Sequence, residues 1–267
     1  MNPMPTKLEE IVAAARARVA VTRAAAPSNG LSVEQHQPRG FRRNLVKFAK
    51  SGVAVIAELK KASPSKGLIR ADFPVAELAR QLESAGAAAL SVLTDERYFQ
   101  GSLQNLRTAS DATRLPCLRK DFIVDEFQLL EARAGRADAV LLIVAALKQS
   151  ELINLARRAT QLDLDVLCEV HDGDELQRAL DAGCDLIGVN NRNLHTFQVD
   201  LNTSLKLAEH MPGGVMKVAE SGIESAEDIA PLRQAGYNAF LIGESLMRAA
   251  SPGEALRDLL AHAAVVR

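Results

Sequence analysis

The feature of this sequence that most constrains its fold is a series of apolar, strand-length runs that alternate with segments of helical periodicity. Eight such runs lie at residues 53–60, 87–95, 116–122, 137–144, 165–171, 186–192, 216–221 and 239–244. Segments with helical apolar spacing lie at residues 74–86, 125–135, 148–162, 172–183, 225–236 and 251–263. This alternation is typical of parallel strands that are buried on both faces and joined by right-handed crossovers. Eight strands within 267 residues favour a single closed (β/α)8 TIM barrel.

The residues before the first strand predict a helical extension to this barrel. We divide the chain into an N-terminal extension (1–52) and the barrel (53–267). Residues 8–25 place apolar side chains on one helical face, and the basic segment 38–52 is a second helix candidate. We expect these helices to pack on the barrel, either at its bottom face or over its top. A doubly wound open sheet is the alternative fold, but no G-x-G-x-x-G motif follows the first strand.

Composition excludes several classes of protein. Lysine and arginine number 32 and aspartate and glutamate 33, so a basic excess that would favour nucleic acid is absent. The longest uncharged apolar runs, such as residues 139–147, are too short to cross a bilayer, and the N-terminus lacks the order of a signal peptide. We therefore expect a cytoplasmic protein that binds neither nucleic acid nor membrane.

Metal and redox chemistry are not indicated by the sequence. H-x-H, H-E-x-x-H and D-x-D clusters are missing, so we expect no metal site. Cys117, Cys168 and Cys184 form no C-x-x-C pair and lie in or beside apolar runs, and we interpret them as buried, reduced thiols.

Polar side chains collect at the carboxyl ends of the predicted strands, where barrel enzymes place their active sites. Strand residues alternate between two faces, so residues two apart in the chain point the same way. The polar residues near these ends are Glu58, Lys60, Lys120, Glu169, His171, Asn190, Arg192, Glu220 and Ser221. A structural ring of ion pairs is the alternative interpretation, because Lys and Glu are rarely buried without partners. Five strands contribute at once, which favours a catalytic site.

Glycine-bearing segments after the last two strands predict a phosphate site. They are "SGIES" (221–225) and "GESL" (243–246). In barrels these two loops often bind phosphate through backbone N–H groups, which glycine allows to approach an anion closely. The loop "SPSKG" (63–67) after the first strand adds two hydroxyls and a cation. We therefore expect a small phosphorylated substrate.

Six segments of the chain resemble the indole-3-glycerol-phosphate synthase family. They span residues 56–67, 93–102, 116–147, 168–201, 218–223 and 240–247, in the order that the family has. The resemblance implies a TIM-barrel lyase of tryptophan biosynthesis that works without a cofactor. It would close 1-(2-carboxyphenylamino)-1-deoxyribulose 5-phosphate to indole-3-glycerol phosphate with loss of CO2 and water.

The same resemblance implies three sets of site residues. The implied catalytic residues are Glu58, Lys60, Lys120, Glu169, Asn190, Glu220 and Ser221. The implied phosphate site comprises Ser63, Gly222, Gly243 and the backbone at Glu244. The implied anthranilate pocket comprises Leu93, Phe99, Phe122, Arg192, Leu194 and Ile242.

The reaction gives these residues provisional roles. Lys120 is our first choice for the acid that protonates the ketone, and Glu169 with Lys60 as its partner would serve the dehydration. The sequence does not decide whether Lys60 and Lys120 exchange these roles. Glu58 and Glu220 would keep the lysines charged. Asn190 and Ser221 would hydrogen-bond the sugar hydroxyls and the intermediate.

Three positions depart from the family pattern that we expect. Ala219 stands where Ser or Thr is frequent, and Arg136 stands where a small residue is usual. Glu244 places a carboxylate beside the expected phosphate, so we expect its side chain to point away from that site.

Two alternative functions remain at this point. An isomerase such as phosphoribosylanthranilate isomerase would need a Cys–Asp or Asp–Asp pair, whereas the first strand offers Glu58 and Lys60. A non-catalytic barrel that binds phosphorylated metabolites would be expected to lose some strand-end acids and bases, and none is lost here. For the assembly we expect a monomer or a weak homodimer.

Overall fold

Eight parallel strands close into one barrel in the computed structural model, which describes residues 6–25, 36–193 and 196–265. The strands are β1 (Ala54–Leu59), β2 (Ala89–Leu93), β3 (Cys117–Lys120), β4 (Ala139–Ile143), β5 (Asp165–Val170), β6 (Leu186–Asn190), β7 (Met216–Glu220) and β8 (Ala239–Ile242). Each strand pairs with its neighbours in the chain, and β1 also pairs with β8 to complete the ring. The predicted (β/α)8 TIM barrel is therefore confirmed.

The helices follow the strands around the outside of the barrel, and two precede it. They are α1 (Lys7–Ala25), α2 (Phe41–Ser51), α3 (Val75–Ala85), α4 (Glu96–Phe99), α5 (Leu103–Ala112), α6 (Glu126–Ala134), α7 (Gln149–Gln161), α8 (Gly173–Asp181), α9 (Asn202–Ala208), α10 (Ala226–Gln234), α11 (Glu244–Arg248) and α12 (Pro252–Val265). A 3-10 turn spans Val144–Ala146, and Ala62–Ser63 pairs with Gly67–Leu68 in a short hairpin. Every helix that the periodicity predicts is present.

The helices that the periodicity does not predict have short or weakly apolar buried faces. Helix α5 buries one large apolar side chain, Leu106, together with Ala109 and Ser110. Its start is fixed by Ser102, whose side chain accepts a hydrogen bond from the backbone of Asn105 at 3.0 Å. An amphipathic signal needs several large apolar residues on one face, so α5 escapes a search for such a pattern. Helices α4, α9 and α11 have four, seven and five residues and are too short to show it.

Helix α2 closes the bottom of the barrel. Phe41 and Leu45 are fully buried and pack with inward-facing residues of the strands, including Ile56 and Leu118. The Asn44 side chain donates a hydrogen bond to the Ala88 carbonyl at 2.6 Å. A barrel interior is a packed core, and α2 supplies the lowest part of that core here.

A buried carboxylate fixes the segment that leads into α2. Asp138, fully buried at the start of β4, accepts two hydrogen bonds from the Arg39 guanidinium, at 3.0 and 2.6 Å. It also accepts one from the Cys117 backbone at 2.6 Å. Burial raises the pKa of Asp138, but hydrogen bonds from His36 and Arg39 outweigh it and leave the pKa below its usual value. Gly40 has a left-handed backbone, with φ of 74°, so α2 begins at Phe41 instead of residue 38.

Helix α1 lies at the opposite, top end. Its Arg18 donates to both oxygens of Asp121, at 2.9 and 3.0 Å, and lies 3.5 Å from Asp95. Asp121 is also bound by the buried Arg119 at 2.9 Å. The extension therefore occupies both of the positions considered for it. Helix α1 lies at the top of the barrel and α2 at the bottom.

Two further expectations can be compared with the structure. The three cysteines are free and buried, as the sequence predicts. Within the described ranges, none of the helices combines the length and apolarity that a bilayer crossing requires.

We predict that Phe41→Ala lowers the free energy of unfolding by about 3–5 kcal/mol, because it empties a filled position beneath the barrel. Urea-induced unfolding followed by circular dichroism measures this change. The matched control is Val21→Ala on α1, where the side chain is 70% exposed and the expected change is within about 0.5 kcal/mol. Equal effects of the two substitutions would contradict the role given to α2.

Candidate active site

A cavity of about 460 Å3 opens at the carboxyl ends of the strands. Every predicted site residue that the structure describes lines it. The polar members are Glu58, Lys60, Ser63, Lys120, Glu169, Asn190, Arg192, Glu220, Ser221 and Glu244. The remaining members are Leu93, Phe99, Phe122, Gly222, Ile242 and Gly243. Leu194 lies outside the described residues.

Lys120 is the centre of the polar part of this cavity. It is the last residue of β3, and its Nζ donates to Glu169 Oε2 on β5 and to Glu220 Oε2 on β7, both at 2.9 Å. Asn190 on β6 donates to the other oxygen of Glu169, Oε1, at 3.0 Å. Residues at the ends of four strands thus meet because parallel strands bring their carboxyl ends to the same rim.

The charges of this cluster set unequal proton affinities. Burial lowers the pKa of Lys120, but the three carboxylates of Glu169, Glu220 and Glu58 outweigh it and raise that pKa above its usual value. Burial raises the pKa of Glu169, but Lys120 and His171 outweigh it, so this pKa falls. For Glu220, burial exceeds the attraction of Lys120, and the pKa rises from 4.5 to about 7. One lysine therefore holds one firmly ionised carboxylate and one that can take up a proton near neutral pH.

A second lysine–glutamate pair lies at the end of β1. Lys60 Nζ is 2.7 Å from Glu58 Oε1, and Ser91 on β2 donates to Glu58 Oε2 at 3.2 Å. Burial raises the pKa of Glu58, but Lys60 and Lys120 outweigh it and the pKa is lowered. The nearest anion of Lys60 is thus Glu58, whereas Glu169 is paired with Lys120.

Two glycines make room for these carboxylates. A Cβ atom at Gly188 would lie 2.0 Å from Glu220 Oε1, and one at Gly243 would lie 2.7 Å from Glu58 Oε1. A side chain at either position would therefore force the neighbouring carboxylate to move. Oε1 of Glu220 is buried and, among the described residues, has no hydrogen-bond partner. This oxygen is available to a bound ligand.

The turn after β7 is held in a conformation that exposes its backbone. Ser221 and Gly222 both have left-handed backbones, with φ values of 66° and 75°. The buried Asn191 donates from Nδ2 to the carbonyls of Glu220 and Ser221, at 3.1 and 3.2 Å. A non-glycine residue persists in this region only when its surroundings enforce it, and Asn191 supplies that enforcement.

Cations surround the Glu244 carboxylate at the cavity edge near the predicted phosphate site. Glu244 at the start of α11 lies 3.9 Å from Lys66, 3.7 Å from Arg192 and 3.2 Å from Arg248. The hydroxyl of Ser63 is buried and lacks a hydrogen-bond partner in the described part of the chain. Whether the Glu244 side chain points away from a bound phosphate stays a prediction.

The opposite wall of the cavity is apolar. The rings of Phe99 and Phe122 lie with centroids 6.3 Å apart, tilted by 36°. Leu8 and Ile11 of α1 contribute to the same cavity. A flat aromatic group could lie against this wall while charged groups on it reach Arg192 or the lysines.

Several residues that shape this site are not among those predicted from the sequence. Ser91 and Gly188 follow from strand alternation, because they share the inward face with Leu93 and Asn190. Asn191 directly follows β6, its side chain does not line the cavity, and it acts through the backbone. A search for polar residues that face the cavity therefore does not find it. For Leu8 and Ile11, the sequence pattern predicts a shared apolar face of a helix but does not predict that this face lines the cavity.

The remaining positions that depart from the family pattern lie away from the catalytic cluster. Ala219 is fully buried on β7, next to the inward-facing Glu220 in the chain, and so faces the surrounding helices. Arg136 has a left-handed backbone with φ of 66° and forms an ion pair with Asp111. Among the described residues, no group of three or more His, Cys, Asp or Glu side chains is arranged to hold a metal ion.

Comparison of the sequence with known proteins gives one family. The profile of the family described as indole-3-glycerol phosphate synthase matches residues 8–259. A curated relative from Koribacter versatilis (strain Ellin345), named indole-3-glycerol phosphate synthase, is 60% identical over 259 residues. The match covers 96% of this chain and 100% of the relative.

Solved structures of much lower sequence identity have the same fold. A thiamine phosphate pyrophosphorylase from Pyrococcus furiosus superposes with a TM-score of 0.62 at 17% identity, over 83% of this chain and 98% of the other. A 3-hexulose-6-phosphate synthase superposes with a TM-score of 0.63 at 16% identity, over 78% and 99%. At these identities the similarity concerns the fold alone.

The raised pKa of Glu220 predicts a measurable effect of pH on stability. The folded protein holds a proton on Glu220 that the unfolded chain releases, so this group lowers the free energy of unfolding as pH rises from 4.5 to about 7. In Glu220→Gln this contribution is absent. The stability of the variant relative to wild type should therefore rise across this window, by about 3 kcal/mol at most.

Urea unfolding at a series of pH values measures this difference. Glu224→Gln, at an exposed position four residues later, is the matched control for removing one carboxylate from this part of the chain. A flat difference for Glu220→Gln would show that Glu220 ionises as an ordinary glutamate.

Proposed function

Because the chain belongs to the indole-3-glycerol phosphate synthase family, we propose that the cavity at the top of its barrel is where that reaction takes place. The enzyme is a carboxy-lyase of tryptophan biosynthesis. It closes 1-(2-carboxyphenylamino)-1-deoxyribulose 5-phosphate to indole-3-glycerol phosphate, with loss of CO2 and water. The observation that carries the proposal is the Lys120 ammonium, held 2.9 Å from both Glu169 and Glu220 within the cavity.

Lys120 is the acid of the first step. The ring carbon that bears the carboxylate attacks the ketone, and the ketone oxygen becomes an alkoxide that needs a proton. The raised pKa of Lys120, which three carboxylates cause against the effect of burial, keeps the ammonium charged until this moment. The alkoxide is a stronger base than the amine, so the transfer is favourable once the bond forms.

Loss of CO2 needs no further catalytic group. After the attack, the positive charge lies on the aniline nitrogen as an iminium. The electrons of the breaking carbon–carboxylate bond flow into this iminium, and the ring recovers its aromaticity. The substrate thus contains its own electron sink, which is the task that a cofactor performs in many decarboxylases.

Dehydration needs an acid for the leaving hydroxyl and a base for one proton. Lys60 and Glu169 are the groups that we assign to this step. The 2.7 Å contact between Lys60 and Glu58 supports the view that Glu58 holds Lys60 as an ammonium. Asn190 holds Glu169 at 3.0 Å and so orients this carboxylate toward the intermediate.

The two ends of the substrate have separate binding regions. The phosphate binds the backbone at Gly222, Gly243 and Glu244. The Ser63 hydroxyl, which has no hydrogen-bond partner among the described residues, is a further donor. The anthranilate ring lies against Phe99 and Phe122 on the apolar wall, together with Leu93 and Ile242, and the resemblance to the family adds Leu194. Its carboxylate is near Arg192. Ser221 contacts the sugar hydroxyls. Backbone N–H groups suit the phosphate because their dipoles are fixed before it arrives.

Three broader features belong to the same proposal. Residues 1–52 form an extension to the catalytic barrel of residues 53–267, with α1 contributing Leu8 and Ile11 to the cavity. The enzyme acts in the cytoplasm as a monomer or a weak homodimer. The family match decides against the isomerase and against a non-catalytic barrel as its function.

Turnover of the carboxyphenylamino substrate, followed by the fluorescence of the indole product, tests the assignment of Lys120. We predict that Lys120→Ala lowers kcat by more than about 100-fold, since a positioned acid contributes roughly 10²–10⁴-fold. The matched control is Lys61→Ala, one residue beyond Lys60, whose side chain does not line the cavity. It should retain a kcat within about two-fold of wild type.

Folding of the Lys120 variant is checked by circular dichroism, because the substitution leaves two buried carboxylates without their cation. A folded Lys120→Ala enzyme with nearly normal turnover would contradict the role of Lys120 as the acid.

A further inference from the structure

Two backbone N–H groups in the turn after β7 are available to a ligand. They belong to Ser221 and Gly222, which both line the cavity. Among the described residues, neither group donates a hydrogen bond to another part of the chain. The Gly222 backbone belongs to the proposed phosphate site, and an N–H group suits a phosphate only when it points at it. The direction of these groups therefore decides how well the site binds.

The direction of each N–H group follows from the carbonyl in the same peptide unit. A trans peptide is planar, and its N–H and C=O point in opposite directions. The Ser221 N–H thus points away from the Glu220 carbonyl, and the Gly222 N–H points away from the Ser221 carbonyl. Asn191 Nδ2 donates to these two carbonyls, at 3.1 and 3.2 Å. Because the Asn191 side chain does not line the cavity, holding both carbonyls toward it turns both N–H groups to the cavity side.

The turn needs this support because Ser221 is in a conformation that serine disfavours. Its φ of 66° lies in the left-handed region, where the Cβ atom crowds the backbone. A return to the usual region would rotate the Ser221 carbonyl away and the Gly222 N–H with it. The Glu220 carbonyl is less dependent on the Asn191 side chain, since it also accepts a hydrogen bond from the Asn191 backbone at 2.9 Å.

A buried network fixes the Asn191 amide in the orientation that this task requires. Asn191 is 2% exposed, and its Oδ1 accepts hydrogen bonds from the backbone N–H and the hydroxyl of Ser204, at 3.1 and 2.7 Å. A backbone N–H can only donate and a carbonyl can only accept, so a flipped amide would lose its partners on both sides. The buried Tyr237 in turn donates to the Ser204 carbonyl at 2.8 Å. The amide is therefore fully occupied within the protein.

We propose that Asn191 is a positioning residue for the substrate phosphate. Its side chain holds the Ser221 carbonyl and thereby keeps the Gly222 N–H directed at the phosphate. It acts through the turn alone and makes no contact of its own with the substrate. This inference rests on the proposed phosphate site at Gly222.

Binding of inorganic phosphate, measured by isothermal titration calorimetry in a phosphate-free buffer, tests this role without turnover. In Asn191→Ala, Ser221 is free to leave the left-handed region, and we expect the Kd for phosphate to rise about ten-fold. The Kd for anthranilate, which has no phosphate, should stay within about two-fold of wild type, because the apolar wall is distant from the turn.

A second substitution and a matched control accompany this measurement. If Asn191→Ala does not fold, Asn191→Ser retains a hydroxyl donor, and we expect its Kd for phosphate to rise by about three-fold or more. Tyr237→Phe is the control, because it removes one buried hydrogen bond from the same network without touching the turn. It should lower the midpoint of urea unfolding and leave the Kd for phosphate within about two-fold of wild type.

Ser221→Gly tests whether backbone conformation is the cause. Glycine adopts a positive φ without strain, so the turn then depends less on Asn191. In the Ser221→Gly background, Asn191→Ala should raise the Kd for phosphate by less than about three-fold.

Steady-state turnover gives an independent measurement. Asn191→Ala should raise KM by about ten-fold and leave kcat within about three-fold of wild type, as expected for the loss of uniform substrate binding. The Glu220 carbonyl keeps its hydrogen bond from the Asn191 backbone, so the catalytic cluster should remain in place.

The inference is wrong if folded Asn191 variants bind phosphate as wild type does, or if wild type binds none. It is also wrong if anthranilate affinity falls equally, if Tyr237→Phe has the same effect, or if Ser221→Gly does not reduce the loss. A wild-type protein that binds phosphate in this Asn191-dependent way but does not convert the carboxyphenylamino substrate would refute the proposed function and leave the role of Asn191 intact.

Discussion

The arrangement of the site depends on a balance between one buried ammonium and the carboxylates around it. Lys120 and its partners Glu169 and Glu220 could not be buried singly without a large desolvation cost. Together they stabilise one another, but the cluster keeps a surplus of negative charge because two carboxylates share one cation. The surplus negative charge appears as the raised pKa of Glu220, which burial and Glu169 cause against the attraction of Lys120. Glu220 can therefore take up a proton near neutral pH before any substrate binds.

The barrel separates this demanding site from the parts that stabilise the fold. At the bottom, Phe41 and Leu45 fill the interior, and Arg39 neutralises the buried Asp138. At the top, α1 is joined to the barrel through Arg18 and Asp121. Strong packing at one end allows the other to keep polar groups that do not satisfy each other fully, such as Oε1 of Glu220.

Much of this arrangement follows from the periodicity of the sequence, and the remainder depends on contacts between distant segments. Glu58 and Lys60 reach the cavity because strand residues two apart share a face, so their placement could be predicted. The hydrogen bond between Arg18 and Asp121 joins residues that are 103 positions apart in the chain, so no local sequence pattern predicts it. Helix α5 escaped prediction because its buried face is nearly free of large apolar residues. Asn191 points away from the cavity and shapes it only through the backbone.

The lack of a side chain at Gly188, where the Glu220 carboxylate lies, has a consequence for how this scaffold can change. Any side chain at position 188 would occupy the place of the Glu220 carboxylate, as the 2.0 Å separation implies. Even an alanine there would force the Glu220 carboxylate to shift from its place beside Lys120. The two positions lie on neighbouring strands, so a change at one alters the surroundings of the other. New chemistry in this barrel would be reached more readily from the loops than from β6 and β7.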